Sequence, residues 1–309
     1  MNGTSFRTKN PGSVLVVGTG ALATLFAARL SAAGIPVTIL GTWSEGLAAL
    51  HQNGAILDGI GSFPVQTTGS QVDGYQAKFA LVLVKSWQTQ RAARQLSACL
   101  AQDGVVLTLQ NGLGNDTILA GKLDWSRVAR GVTTLGATLL APGLVRLAGD
   151  GPVSLEAHPR LAPFQEMLVQ AGFEVKVVDD VQSLVWSKLV VSSAINPLTA
   201  LLRIKNGELL SLPTARGLLG VVARETASVA GMLGVDLQFQ DPVLATEDVA
   251  MHTAENTSSM LQDVLRGSAT EIDAINGAIV QKAEEGGLIL PVNRVLLSLI
   301  KALAVRGKI

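Results

Sequence analysis

The chain has 309 residues, 48% hydrophobic and 16% charged, which fits about two folded domains and excludes wholesale disorder. Its 24 basic residues offset 24 acidic ones, so no net field draws it to nucleic acid or to an anionic membrane surface. Cys99 is the single cysteine, and His51, His158 and His252 lie far apart in sequence. This excludes a disulfide framework and a local Cys/His metal site, and no metal is expected. The composition reads as a reduced, cytoplasmic protein.

Residues 1–10 are polar and read as a loose leader. The uncharged run 10–28, preceded by Arg7 and Lys9, has the outline of a signal peptide or short membrane span. Pro11, Gly12, Gly18 and Gly20 interrupt it, so no membrane segment is expected there. Residues 13–17 (SVLVV) read as a buried parallel strand and 21–33 as a helix stopped by Gly34. A strand follows at 36–40, a helix at 44–53, and a pair of short strands within 55–68. Residues 79–84 (FALVLV) and 104–109 (GVVLTL) read as further strands, with a helix at 87–100 between them. Alternation of this kind gives right-handed crossovers and a doubly wound sheet. Strands are then expected over 128–140, 144–148, 153–156 and 174–178, with a helix at 159–170. After Asp180 the periodicity is helical, at 181–193, 213–233, 246–265, 270–285 and 291–305. The expected class is α/β: a doubly wound sheet domain over 11–180, followed by an all-helical domain over 181–309.

Gly18-Thr19-Gly20-Ala21-Leu22-Ala23 follows a predicted strand and opens a predicted helix. That is the setting of a dinucleotide-binding fingerprint. Gly18 serves the tight turn, Gly20 admits a pyrophosphate to the helix N-terminus, and Ala23 is small enough for close packing. After the second strand the chain reads Leu40-Gly41-Thr42-Trp43-Ser44-Glu45, with no carboxylate directly at the strand end and no Lys or Arg. Thr42 and Ser44 suit a 2′-phosphate. Glu45 suits a 2′-hydroxyl, or is simply a first-turn residue favoured by the helix dipole. These residues leave NADPH and NADH both open. Lys85 and the segment Gln110-Asn111-Gly112-Leu113-Gly114 fall at carboxyl ends of strands, where ligands bind in open α/β sheets.

In the second half, Lys188, Ser192 and Asn196 are spaced i, i+4, i+8 and drift only about 80° around a helix. Asn196-Pro197 reads locally as a helix stop and Asn206-Gly207 as a turn. Ser259 and Glu271 would be about 18 Å apart on one straight helix, unless Arg266-Gly267-Ser268 breaks it. By spacing alone, Ser268-x-x-Glu271 is a capping box.

Taken in order, GTGALA (18–23), VKSWQT (84–89), QNGLG (110–114), GVTTLGA (131–137), WSKLVVSSAINPLTA (186–200), NGEL (206–209), NTSSMLQD (256–263) and TEIDAING (270–277) make the chain resemble the ketopantoate reductases, the 2-dehydropantoate 2-reductases. The resemblance covers nearly all of the chain after the leader. It implies a Rossmann-type domain followed by an all-helical one, with the site in the cleft between them. It implies NADPH-dependent reduction of 2-dehydropantoate to (R)-pantoate, a step of pantothenate and coenzyme A synthesis. By that pattern Lys188 and Glu271 are catalytic. Gly18, Thr19, Gly20, Ala21, Leu22, Ala23, Lys85, Asn111 and Ala137 lie along the cofactor. Asn111, Ser192, Asn196, Asn206 and Ser259 hold the substrate, a small 2-oxo acid. Two positions depart from it. Ser192 stands where many members have Asn, and 41–43 lacks the arginine that many use for the 2′-phosphate, so NAD is not excluded. The alternatives are a relative reducing another branched 2-oxo acid with NADH, or a non-catalytic dinucleotide-binding regulator. The Ala- and Leu-rich helical half suits a subunit interface in a homodimer.

Overall fold

The structure is a computed structural model that describes residues 13–69 and 75–306; the expected leader lies outside the described residues. It divides into two compact units. One takes the described residues up to Gln110 together with Asn115–Val181, and the other takes Asn111–Gly114 and the residues from Gln182 on.

The first unit grows from β1 (Val14–Val17), whose four apolar residues are all buried, three of them β-branched valines. Such a run suits a central parallel strand covered on both faces. β1 pairs in parallel with β2 (Val37–Leu40) on one side and β6 (Ala77–Val82) on the other. The sheet continues through β7 (Leu100–Thr108), β8 (Val128–Thr133), β11 (Val153–Glu156) and β12 (Val175–Val178), and gains β5 (Gln66–Thr68) at the far edge. The order is β12-β11-β8-β7-β6-β1-β2-β5, and β8 with β11 is its one antiparallel pair among the described residues. Helices α1 (Ala21–Ala32), α2 (Ser44–Asn53), α3 (Thr89–Cys99), α4 (Asn115–Leu123) and α5 (Ala162–Gln170) connect the strands. Val14 and Val16 share one buried cluster with Phe26, Leu30 and Phe164, while Leu15 and Val17 share the other with Leu96 and Leu119. Phe26 stacks on Phe173 with centroids 4.3 Å apart.

A second, four-stranded sheet has the order β4-β3-β10-β9, from β3 (Ala55–Leu57), β4 (Gly61–Phe63), β9 (Gly136–Ala141) and β10 (Leu144–Gly149). The strand expected over 128–140 is therefore two strands in two sheets. The break comes where the Thr133 hydroxyl accepts the Leu135 N–H at 3.1 Å and turns the backbone out of the ladder. The expected pair within 55–68 is three strands, the last of which joins the main sheet.

The second unit is helical: α6 (Val181–Leu202), α7 (Glu208–Ser211), α8 (Pro213–Met232), α9 (Pro242–His252), α10 (Ser259–Leu265), a π turn over Asp273–Gly277, α11 (Ala278–Glu285) and α12 (Pro291–Arg306). Trp186, Leu189, Val229, Met260, Ile275 and Ile300 meet in one of its cores. α6 is the one described helix long and apolar enough to cross a membrane, and most of it is buried inside the unit.

Three helical expectations need correction. The first is the helix expected to end at 193, which runs through Pro197 to Leu202. Proline lacks the N–H that would bond the carbonyl four residues back, at Ser193. The Asn276 side-chain amide replaces it, donating to Ser193 O at 2.9 Å. Second, the helix expected over 246–265 is interrupted between His252 and Ser259. There the backbone N–H groups of Asn206 and Gly207 take the carbonyls of Asn256 and Ala254, and the Ser258 hydroxyl caps a new helix by accepting the Leu261 N–H. Third, the helix expected over 270–285 opens with the π turn, closed by Gly277 N–H donating to Ile272 O at 3.0 Å.

Candidate functional site

In the first unit the fingerprint forms the turn between β1 and α1. The Gly18 N–H donates to Leu40 O at 2.8 Å, which ties the turn to the end of β2. Gly18 has φ +134°, and a Cβ there would lie 3.1 Å from the Leu83 carbonyl. Only glycine satisfies both conditions. Gly20 is the N-cap of α1, with no side-chain cap, no acidic residue in the first turn and open space where a Cβ would stand. Among the described residues no N-cap side chain takes the first-turn N–H groups, an arrangement suited to an anionic acceptor. Ala21 and Leu22 are half-buried, whereas Thr19 and Ala23 are buried.

The strand ends beside the fingerprint are braced. Gln110, just past β7, donates through Nε2 to Val84 O and to Thr89 Oγ1, both at 2.8 Å. This holds the turn that carries Lys85, which is half-buried. Thr89, unnoticed in the sequence, is the hub of this brace and also lies 2.8 Å from Asn115 Oδ1. Past β2, a Cβ on Gly41 would lie 2.5 Å from Thr19 Cγ2, so the two turns are in direct contact. The Trp43 indole N–H donates to the Glu45 carboxylate, and the Trp43 ring closes over Gly46. Ala137 sits in β9 of the small sheet, half-buried against the core that α1 packs on, and is not at a strand end of the main sheet.

In the second unit, α6 carries Lys188, Ser192 and Asn196 over two turns, each half-buried. Burial pushes the Lys188 ammonium well below the usual lysine range, down to about 8, with the negative charge of Glu271 opposing that fall. Glu271 is buried, and its Oε2 accepts from Asn111 Nδ2 at 3.1 Å. Residues 111, 188 and 271 thus form one cluster despite their separation in sequence. The capping-box reading of Glu271 is corrected here: Ser268 lies in a loop, no helix starts at it, and the carboxylate serves the cluster. Asn111 reaches Glu271 because Leu113 N–H donates to Ala274 O at 2.9 Å, laying the segment along the π turn. Gly112 has φ +83°, and a Cβ there would fall 2.7 Å from the Ala274 carbonyl carbon.

Ser259 opens α10, half-buried. Its neighbour Ser258 lies with Oγ 2.7 Å from Thr199 Oγ1, and Thr199 is three residues beyond Asn196 on α6. That contact joins the start of α10 to the Lys188 helix. Asn206 is buried and donates to Thr253 Oγ1 at 2.9 Å, while its Oδ1 has no partner among the described residues. Thr199, Ser258 and Asn276, like Thr89, fall within quoted motifs but were given no role by sequence reasoning.

The chain matches the description "Ketopantoate reductase PanE/ApbA" over residues 14–160 and "Ketopantoate reductase PanE/ApbA C terminal" over 180–304. It is 38% identical over 295 residues to the 2-dehydropantoate 2-reductase of Archaeoglobus fulgidus, covering 93% of this chain and 96% of that one. Against the enzyme of Halobacterium salinarum the identity is 34%, covering 93% and 97%. A crystal structure of a PanE/ApbA family ketopantoate reductase from Ralstonia eutropha superposes with a TM-score of 0.88 at 30% identity, covering 96% of this chain and all (100%) of that one. D-mandelate dehydrogenase in ternary complex with NADH and anilino(oxo)acetate shares the fold, with a TM-score of 0.90 at 24% identity and coverage of 96% and 99%. The chain belongs to the ketopantoate reductase family.

Proposed function

We propose that the protein reduces 2-dehydropantoate to (R)-pantoate, in pantothenate and coenzyme A synthesis, with Lys188 as general acid. The observation that carries this is the cluster in which Asn111 Nδ2 bonds the buried Glu271 carboxylate beside Lys188 of α6; burial there lowers the Lys188 ammonium to about 8. An acid of that strength is protonated at neutral pH and gives up its proton readily when an alkoxide forms beside it.

The uncapped α1 terminus and the open space above Gly20 fit a dinucleotide pyrophosphate. Gly18–Ala23, Lys85, Asn111 and Ala137 would hold the cofactor. When bound there, the reduced cofactor would supply the hydride that the ketone carbon takes up. Lys188 then stabilises the negative oxygen and transfers a proton from Nζ to it, leaving a hydroxyl and a neutral amine. Glu271 keeps the amine charged until that moment. The unpartnered Oδ1 of Asn206 accepts from the substrate hydroxyl, and Ser192, Asn196 and Ser259 donate to its carboxylate.

The segment after β2 favours NADH over the NADPH that the resemblance implies. A dinucleotide ribose runs to the end of the second strand. The chain offers no Lys or Arg from Gly41 to Asn53, and Trp43 braces the Glu45 carboxylate there. Like charges brought close at an exposed site repel by about 1 kcal/mol, or up to about tenfold in affinity. Titration calorimetry should therefore give a Kd for NADH about tenfold below that for NADPH, and Glu45→Gln should narrow the gap. Tighter binding of NADPH would reverse the assignment. In the same preparation, reduced-nicotinamide absorbance should fall on adding ketopantoate, with the highest kcat/KM among branched 2-oxo acids. Binding without consumption of the cofactor by any 2-oxo acid would leave a regulator instead.

A further inference from the structure

Asn276 stands at the centre of a buried polar chain that no catalytic step uses. It lies on the π turn, one turn after Glu271, and is fully buried. Its Nδ2 donates to Ser193 O at 2.9 Å and to Asn293 Oδ1 at 3.0 Å. Asn293 in turn donates through Nδ2 to Glu225 Oε2 at 2.8 Å, and the Glu225 carboxylate caps α12 by accepting the N–H groups of Val292 and Asn293 at 3.0 and 2.9 Å. Ser193 Oγ and Thr226 Oγ1, 2.9 Å apart, close the link from α6 to α8. Four elements are thereby fixed to one another by bonds that are worth more for being out of water.

Two details give this chain a direction. First, Ser193 O is the carbonyl that Pro197 leaves without a helix donor, so Asn276 meets α6 at the one place where the helix ladder is open. That place is just over one turn beyond Lys188. Second, Asn276 Oδ1 is buried with no partner among the described residues. The residue is held for its two N–H donors at the expense of its own acceptor, which a residue serving packing alone has no reason to do.

We infer that Asn276 is a positioning residue, pinning against α6 the π turn whose Ala274 and Ile275 N–H groups bond Glu271 O, and so fixing the Glu271 carboxylate relative to the Lys188 amine. The inference rests on the proposed role of Lys188. It predicts that Pro197 and Asn276 are coupled. Restoring the helix N–H with Pro197→Ala satisfies Ser193 O without Asn276, but does nothing to hold Glu271.

The test follows the Lys188 side chain by NMR in protein labelled at lysine Cε, the signal being assigned by its absence in Lys188→Arg. The titration midpoint does not depend on turnover. In the wild type it is expected near 8. In Asn276→Ala, with Glu271 loosened and its charge less effective, it should fall by about half a unit or more. Ketopantoate kcat should drop by about tenfold while NADH affinity stays unchanged. In Pro197→Ala/Asn276→Ala the melting temperature should recover and the midpoint should stay low; this double variant also serves if the single one does not fold. An unmoved midpoint in the variants, or one fully restored by Pro197→Ala, overturns the positioning role and leaves the reductase proposal standing. A wild-type midpoint at the ordinary lysine value overturns both.

Discussion

Replacing Lys188 with alanine is expected to lower kcat for ketopantoate reduction by about 100-fold or more, the range in which a positioned general acid contributes. The reason is specific to charge. Reduction leaves a full negative charge on the former carbonyl oxygen, and the ammonium is the cation proposed to meet it and then neutralise it. Ser192 and Asn196, on the same face of α6, have no group acidic enough to give up a proton. KM for ketopantoate should move far less than kcat, because the loss is felt in the transition state. NADH affinity should be unaltered, since the fingerprint turn is untouched. Steady-state kinetics on a variant with a wild-type circular dichroism spectrum measures this, and turnover near the wild-type rate would remove Lys188 from the chemistry.

The second large effect is expected at Gly112. Both Gly112 and Gly114 have φ +83°, but a Cβ on Gly114 meets nothing within 4 Å, while one on Gly112 runs into the Ala274 backbone. Gly114→Ala therefore carries only the conformational penalty, about 1 kcal/mol. Gly112→Ala adds an overlap with main chain, for a total of about 2–4 kcal/mol. The obstructing carbonyl belongs to the π turn, which is pinned, so the Asn111 segment must give way and the Asn111–Glu271 bond is lost. Thermal melts of the two variants should differ by several degrees, and the Gly112 variant alone should lose catalytic rate. Equal melts would show that the close approach carries no energy.

The fold was legible wherever one face or both of an element had to be covered. The buried runs at 13–17, 79–84 and 104–109 marked the central strands, and the glycines at 18 and 20 marked the turn. The stripe of Lys188, Ser192 and Asn196 was legible because one helix carries all three. What escaped depended on partners distant in sequence. Pro197 reads as a helix stop until Asn276, 79 positions later, supplies the missing donor. The helix expected over 246–265 reads as one until Asn206 and Gly207 take the carbonyls at 254 and 256. Glu271 reads as a cap because Ser268 is three residues before it, whereas the bond that defines it comes from Asn111. Local spacing reports what a segment can do alone; each of these segments is decided by a hydrogen bond that the local pattern cannot contain.

The pH dependence of kcat/KM for ketopantoate, in the wild type and in Glu271→Gln, tests the central claim most directly. On the proposed mechanism catalysis needs the charged form of Lys188, whose affinity for its proton is lowered by burial and partly restored by Glu271. The rate should therefore hold through neutrality and fall as pH rises through about 8, well before the ordinary lysine value. Removing the carboxylate charge leaves desolvation unopposed, so in Glu271→Gln the fall should begin at lower pH. A profile flat to pH 10, or a limb that moves upward in Glu271→Gln, would contradict the assignment of Lys188 as the acid.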